Sequence, residues 1–249
     1  MFPYISEFVG TFLLLLLGNG VCANVFLKKS NFNGGGLCMV TCAWGLAVMI
    51  PAYTFGAYSG AHFNPALTIG LAVGGLFPWD MVPGYVICQF AGGFCGGALV
   101  SIMFHDQFAA TEDQATKLGV FCTAPAVRNL PLNFLSEFVG TAVLLFAILG
   151  ISTATGIKPA PGQGLAIGLN YIFVFGIIVS IGQSFGGLTG YAINPARDWG
   201  PRLAHTLMPI PGKGSSHWGD YALIPLLGPV CGSIAGVLLY QFIFSFAGK

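Results

Sequence analysis

The sequence predicts an all-α membrane protein with six transmembrane helices and two re-entrant half-helices, arranged as two inverted repeats. Composition indicates the bilayer: of the 249 residues, 55% are hydrophobic and only 7% are charged, whereas soluble domains carry about 25% charged residues. Repetition indicates a duplicated unit, because SGAHFNPA at 59–66 returns as TGYAINPA at 189–196, and SEFVGT occurs at both 6–11 and 136–141. Both pairs have the same offset of 130 positions, so one unit occurs twice.

Six apolar segments have the roughly 20 residues that a helix needs to cross the hydrocarbon core. They occupy residues 4–27, 37–57, 82–104, 133–155, 163–184 and 221–246. Each half contains three of them, an odd number, so the second half must enter the membrane from the opposite side. We therefore expect a single transmembrane domain over 1–249, with repeat 1 at about 1–104, a connecting loop at about 105–132 and repeat 2 at about 133–249.

The third spans of the two halves also resemble each other. GGFCGG at 92–97 matches GPVCGS at 228–233 with an offset of 136 instead of 130. This difference predicts an insertion of about six residues near 209–218. Small residues at such spacing allow close approach of helix backbones in a membrane.

Two further apolar stretches, about 65–77 and 195–207, are too short to span the membrane. Each begins after the asparagine of Asn-Pro-Ala, and proline suits the first helical turn, where its missing N–H loses no hydrogen bond. About 12 residues form roughly 18 Å of helix, so two such helices that meet end to end would complete one span. A single Asn-Pro-Ala usually marks only a helix start. Two copies at the repeat offset predict functional re-entrant segments at Asn64, Pro65, Ala66, Asn194, Pro195 and Ala196.

The residues before each Asn-Pro-Ala are expected to be extended backbone, since a broken helix in a bilayer must be buried in protein or line water. Their carbonyl groups would line a pore; the residues are Gly60, Ala61, His62, Phe63, Gly190, Tyr191, Ala192 and Ile193. Asn64 and Asn194 would lie where two positive half-helix ends converge. The midpoint should therefore repel cations and offer amide donors to water or hydroxyl groups. His62 lacks a nearby ligand partner in sequence, so we expect its backbone carbonyl, not its ring, to meet the permeant.

This pattern resembles the aquaporin superfamily, the major intrinsic protein family, over essentially the whole chain. The resemblance implies the aquaporin fold, a homotetramer with one pore per subunit, and a narrow selectivity filter at Arg197. A charge inside a membrane segment is a functional candidate by default, because it costs about 2.5–3.5 kcal/mol even on translocon scales. Alignment to the family gives Trp44, Gly182 and Tyr191 as the filter partners of Arg197.

Within that family, the residues resemble the aquaglyceroporin or glycerol facilitator branch. Strict water channels have His at the position of Gly182 and a smaller aromatic residue at that of Trp44. Here Gly182 is expected to leave width in the filter, and Trp44 is expected to supply an apolar wall. Four further positions also resemble the glycerol-conducting branch: Asp198, Arg202, Pro225 and Leu226. Tyr191 departs from the pattern, since the best-known bacterial glycerol facilitators have Phe there. The added hydroxyl leaves the preferred solute and the ratio of water to glycerol flux open.

Glu7 and Glu137 occupy matching positions in the two SEFVGT blocks. An acid near a helix N-terminus is favoured by the helix dipole alone. The resemblance implies instead that each carboxylate accepts hydrogen bonds from the re-entrant loop of its own half, and the repetition of the whole block favours this second interpretation. Gln89 is a further candidate for bracing a loop, which the sequence alone leaves open.

Several function classes are disfavoured. The net charge of +1 offers no electrostatic basis for binding nucleic acid. The seven cysteines lie mostly in apolar runs without a C-x-x-C, so we expect no disulfide framework and no metal site. Neither catalytic residues nor a cofactor are predicted, because no nucleophile–base pair or metal-ligand spacing is evident.

We expect a passive channel in the plasma membrane, surrounded by lipid, that conducts glycerol and related small neutral solutes with water and excludes ions and protons. The alternatives are a strict water channel, or a facilitator whose main solute is another small uncharged molecule. A secondary transporter also uses inverted repeats but needs ion-binding groups at the midplane, and no span has a central Asp, Glu or Lys. A scaffolding protein with a vestigial pore would usually have long termini or loops.

Overall fold

A computed structural model of the chain describes residues 1–156 and 165–247. These residues form ten α-helices and one 3₁₀ turn at Trp79–Met81, and no strand occurs among them. The helices are α1 (Phe2–Phe26), α2 (Gly36–Ser59), α3 (Pro65–Val73), α4 (Val82–Met103), α5 (His105–Ala110), α6 (Gln114–Phe121), α7 (Leu130–Thr155), α8 (Leu165–Thr189), α9 (Pro195–Leu207) and α10 (Ile224–Phe244).

Six of the described helices, α1, α2, α4, α7, α8 and α10, are long and apolar enough to cross a membrane. The six predicted spans are thus confirmed, with differences of a few residues at their ends. The fifth continues to Thr189 instead of 184, and it ends where Gly190 adopts a left-handed φ of 81°. The predicted start of that span, 163, lies outside the described residues. The sixth begins at Ile224 instead of 221, with Pro225 in its first turn.

The half-helices α3 and α9 both begin at the proline of Asn-Pro-Ala. α9 ends at Leu207, as predicted, whereas α3 ends at Val73 and not at 77. The earlier end is caused by Gly75, whose φ of 70° turns the chain. The N–H of Leu76 then donates to the Leu71 carbonyl over 2.8 Å, which is the pattern of a glycine-terminated helix.

Glycines in the third span of each half bring two helix backbones together. A Cβ added to Gly96 of α4 would lie 2.7 Å from the Phe12 carbonyl of α1, and one added to Gly236 of α10 would lie 2.5 Å from the Ala142 carbonyl of α7. Phe12 and Ala142 are 130 positions apart, but the two glycines are 140 apart. The predicted offset of 136 is therefore wrong by about one helical turn, because glycines at four-residue spacing match in either register.

The segment that joins the halves is not simply a loop, since it contains the short helices α5 and α6. Asn19 of α1 anchors this segment, because its side-chain amide donates to the carbonyls of Val120 and Phe121. The buried Lys117 ammonium donates to the carbonyl of Pro211, in the connection after α9. The connecting segment is thus fixed over the end of the molecule where α9 terminates.

Candidate pore and filter

The two segments that precede the half-helices have the same unusual backbone. Non-glycine residues with positive φ are uncommon, yet Ala61 and Phe63 have φ of 52° and 48°, and Tyr191 and Ile193 have φ of 39° and 44°. Such conformations persist only where the surroundings hold them. Each segment begins at a glycine, Gly60 or Gly190, with a φ of 81° in both cases.

A fully buried glutamate holds each of these segments. Glu7 accepts hydrogen bonds from the N–H groups of His62 at 3.0 Å and Phe63 at 2.7 Å. Glu137 accepts the equivalent bonds from Ala192 at 3.0 Å and Ile193 at 2.8 Å. The structure therefore brings each glutamate to the re-entrant segment of its own half, in the same geometry.

Side chains fill the remaining acceptor capacity of the two glutamates, and Ser59 hydrogen-bonds Glu7 at the position that matches Thr189 in the second half. Gln89 of α4 donates to Glu7 over 2.7 Å and to the Thr68 hydroxyl over 3.0 Å. In the second half, the Thr189 hydroxyl donates to Glu137 over 2.7 Å. Thr68 and Thr189 were not identified from the sequence. A threonine four residues into α3, or directly before Gly190, gives no signal of its own. The His62 ring lies 3.0 Å from the Thr68 hydroxyl, which fixes it beside the segment.

The two asparagines join the halves at the midpoint. The Oδ1 atom of each caps its own half-helix, accepting from Ala66 N–H at 2.9 Å and from Ala196 N–H at 2.9 Å. Each Nδ2 atom donates to the opposite half: Asn64 to the Ile193 carbonyl and Asn194 to the Phe63 carbonyl, both over 2.8 Å. An amide nitrogen carries two hydrogens, so one donor of each asparagine remains for the cavity that both border.

A cavity of about 550 Å³ lies between the two halves. Most of the predicted carbonyl-bearing residues border it, namely Gly60, Ala61, His62, Tyr191, Ala192 and Ile193. Phe63 instead packs its ring against Gly10 of α1, and its carbonyl faces Asn194. Gly190 lies against Thr123 of the connecting segment. No Asp, Glu or Lys occurs among the described residues of the cavity wall.

Three of the predicted filter residues, Trp44, Tyr191 and Arg197, border one part of this cavity. The Arg197 guanidinium carbon lies 4.0 Å above the Trp44 ring, within the range of a cation–π contact. The Trp44 Nε1–H points away towards the Cys22 sulfur, 3.4 Å distant, so the indole presents only carbon to the cavity. Gly182 does not leave an open gap, because a Cβ added to it would lie only 2.9 Å from the Tyr191 ring.

Behind the filter, α9 carries a buried ion pair. Asp198 accepts from Arg202 Nε over 2.8 Å, and it also accepts from both the N–H and the hydroxyl of Thr123 over 2.7 Å. Arg202 donates to the Thr123 carbonyl over 3.0 Å and to the Ser216 carbonyl over 2.8 Å. These two subfamily markers therefore attach the connecting segment to α9. The other two, Pro225 and Leu226, lie in the first turn of α10, outside the cavity wall.

The described residues contain no group of three or more His, Cys, Asp or Glu that could hold a metal ion. All seven cysteines are free thiols. The arrangement offers hydrogen bonds and an apolar wall, which suit passage of a small neutral molecule more than any bond-making chemistry.

The chain is similar to known proteins over almost its whole length. The family model described as "Major intrinsic protein" matches residues 3–240. A probable glycerol uptake facilitator protein of Thermotoga maritima is 50% identical over 244 residues, which cover 98% of this chain and 100% of the relative. The glycerol uptake facilitator protein of Bacillus subtilis is 46% identical, over 98% of this chain and 85% of the relative.

Among solved structures, the X-ray structure of the aquaglyceroporin from Plasmodium falciparum superposes with a TM-score of 0.84. It is 29% identical in sequence, and the match covers 99% of this chain and 97% of that one. The fold predicted from the sequence is thereby confirmed.

Proposed function

Because the chain belongs to the major intrinsic protein family, whose members are membrane channels and not enzymes, we propose that it conducts glycerol and related small neutral solutes together with water. It is a multi-pass integral membrane protein of aquaporin fold. The glycerol facilitators among its relatives, at 50% and 46% identity, support glycerol as a solute and do not favour a strict water channel.

The observation that carries this proposal is the two-sided character of the filter. Trp44 turns its only polar atom away from the cavity, and the Arg197 guanidinium, 4.0 Å above the Trp44 ring, offers donors in the same cavity, which Tyr191, Ala192 and Ile193 also border. Glycerol likewise has a carbon edge and a hydroxyl edge. When the hydroxyl edge of glycerol bonds to the polar groups of the filter, these bonds replace hydrogen bonds to water. Loss of those bonds without replacement would cost several kcal/mol.

The cavity also supports exclusion of ions. The positive ends of α3 and α9 meet at Asn64 and Asn194, and Arg197 adds a full charge nearby. In aquaporin-type pores, a barrier formed by an arginine or by the positive ends of half-helices explains the exclusion of protons and cations. A secondary transporter would need an ion-binding or titratable acid in the pathway, and the described cavity wall contains no carboxylate.

We further propose that residues 1–249 form one channel domain of two repeats joined by the segment 105–132, and that four copies assemble in the plasma membrane with one pore each. The large exposed apolar side chains on the outer faces of the helices, such as Ile87, Ile102 and Phe242, suit contact with lipid and with neighbouring subunits.

The test is light scattering by proteoliposomes after an osmotic step with glycerol, beside an impermeant sugar. Glycerol should enter down its gradient, without dependence on proton or sodium gradients. Passage of water with exclusion of glycerol would favour the strict water channel. Accumulation of glycerol above its outside concentration would contradict a passive channel altogether.

A further inference from the structure

Two polar side chains that the proposed filter does not use border the other part of the cavity. Asn170 and Tyr171, neighbours on α8, are each only 5% exposed. The Asn170 Oδ1 atom and the Tyr171 hydroxyl have no hydrogen-bond partner among the described residues, although both residues line the cavity. Buried polar groups in proteins are nearly always hydrogen-bonded, so these two groups need a partner that enters from the cavity.

Their place along the pore separates them from the filter. Tyr171 precedes Gly182 by eleven residues of the same helix, or about 16 Å of rise. The phenol fits against Gly56 of α2, where an added Cβ would overlap its hydroxyl oxygen. Gly56 lies one turn before Gly60, so the pair faces the start of the first re-entrant segment, at the opposite mouth from Arg197.

The chemistry of the pair suits a hydroxyl group. The phenol O–H donates, the amide oxygen accepts, and an alcohol can do both at once. The wall around them is apolar, formed by Ala52, Ile148 and Val174 among others. This combination of one donor, one acceptor and a carbon surface repeats the two-sided character of the filter with different residues.

We propose that Asn170 and Tyr171 form a second hydroxyl-binding subsite for polyols, at the mouth of the pore opposite the Trp44–Arg197 filter. The subsite replaces part of the hydration shell of the solute where it enters or leaves through this mouth. This inference rests on the proposed function, since it presupposes that polyols pass through the cavity.

The experiment compares Tyr171→Phe, Asn170→Leu and wild type in proteoliposomes, with water and glycerol permeability measured on the same preparation. Tyr171→Phe removes the hydroxyl with little change of volume, and Asn170→Leu removes the hydrogen-bonding atoms while keeping the branched shape with somewhat larger methyl groups. Loss of one such bond should lower glycerol permeability about three- to tenfold, while water permeability changes less than twofold. Addition of erythritol should also inhibit the flux of labelled glycerol less in the variants than in wild type.

The matched control is Tyr53→Phe. Tyr53 packs its ring 5.7 Å from that of Tyr171 but is 45% exposed and lies outside the cavity wall, so its variant should behave as wild type. If Tyr171→Phe yields no folded protein, Asn170→Leu and the erythritol competition carry the test, because neither requires removal of the phenol.

The outcomes separate the two levels of the argument. A wild type that excludes glycerol would overturn the proposed function itself. A wild type that passes glycerol, with an unchanged glycerol-to-water ratio in Tyr171→Phe and Asn170→Leu, would overturn the subsite. An equal loss in Tyr53→Phe and Tyr171→Phe would also overturn it, because packing and not the pore-facing hydroxyl would then be responsible.

Discussion

We predict that Tyr191 sets the width of the proposed filter, because its ring lies against Gly182, the residue that was expected to leave space. The Gly182 backbone is in close contact with the phenol, and the Tyr191 hydroxyl has no hydrogen-bond partner among the described residues. A residue with no side chain is therefore needed at 182 to accommodate the ring at 191. The extra hydroxyl adds one donor to the proposed filter that a phenylalanine would lack.

Gly182→Ala should lower glycerol permeability more than water permeability, because the new methyl group pushes the Tyr191 ring into the pathway of the larger solute. The measurement is paired water and glycerol flux in one set of proteoliposomes. Gly176→Ala, on the same helix with no atom within 4 Å of the added Cβ, is the matched control and should change neither flux. An equal loss of both fluxes in Gly182→Ala would contradict the filter assignment.

Glu7→Gln and Glu137→Gln should each lower the free energy of unfolding by about 1–3 kcal/mol. Both oxygens of each carboxylate accept bonds from N–H or O–H groups, so an amide nitrogen would face a donor in either orientation. Thermal unfolding in detergent measures the effect. The exposed Glu112→Gln serves as control and should match wild type. Unchanged melting of all three variants would show that the glutamates do not hold the segments.

At the scale of elements, the two half-helices were predictable because their signals are local. Asn-Pro-Ala contains both a capping residue and a first-turn proline, and the repeat offset identified both copies together. The helices α5 and α6 were missed because they are short and lie in a polar stretch, and α6 is held by distant residues, Asn19 and Pro211. Composition carries no information on such pairings, and the polar stretch therefore resembled a loop.

Attachment of the connecting segment to α9 should depend on Asp198. Asp198→Asn leaves the buried Arg202 guanidinium without a neutralising charge, and breaking a buried ion pair costs about 3–5 kcal/mol. The control is Asp220→Asn, which breaks the exposed pair with Arg128 and should cost less than about 1 kcal/mol. Thermal unfolding of the two variants distinguishes these values. Similar small losses would mean that the buried pair adds no stability to the junction.

The alignment of α4 with its repeat equivalent α10 shows a second limit of sequence comparison. The sequences at 92–97 and 228–233 match at an offset of 136. However, Gly96 and Gly236, which make the equivalent helix contacts, are 140 positions apart. Repeated glycines make alternative registers equally plausible, and only the opposing carbonyls of Phe12 and Ala142 distinguish them. The sequence does not determine the role of Gln89 for a different reason: its partners, Glu7 and Thr68, come from two other helices.

At the scale of the whole molecule, the halves are joined at their centre by the two asparagine amides. Each half supplies one donor and one carbonyl, so neither re-entrant segment completes its hydrogen bonds alone. A second reciprocal contact surrounds this exchange, because α4 packs on α9 at Gly93 and Gly200 while α10 packs on α3 at Ser233 and Gly70. The halves therefore cannot separate without leaving buried polar groups unpaired.

Asn194→Asp should reduce both the yield of folded protein and its thermal stability. The substitution removes the donor to the Phe63 carbonyl and places a carboxylate oxygen against it. Asn194→Asp keeps an acceptor for the Ala196 N–H, so the helix cap is retained while the bond between the halves is lost and a charge is buried in its place. Size-exclusion chromatography and melting in detergent measure it. Wild-type yield and stability would contradict a structural role for this bond.

The reciprocal asparagine bonds also impose an order on biosynthesis. Asn64 leaves the ribosome 129 residues ahead of its acceptor Ile193, which at ordinary rates of translation is a delay of roughly ten seconds. Glu7, which holds the first re-entrant segment, is made before that segment, and Gln89, which donates to Glu7, is made shortly after it. The first half therefore contains these bonding partners well before Ile193 is made, and the asparagine pair closes only after most of the chain has been synthesised.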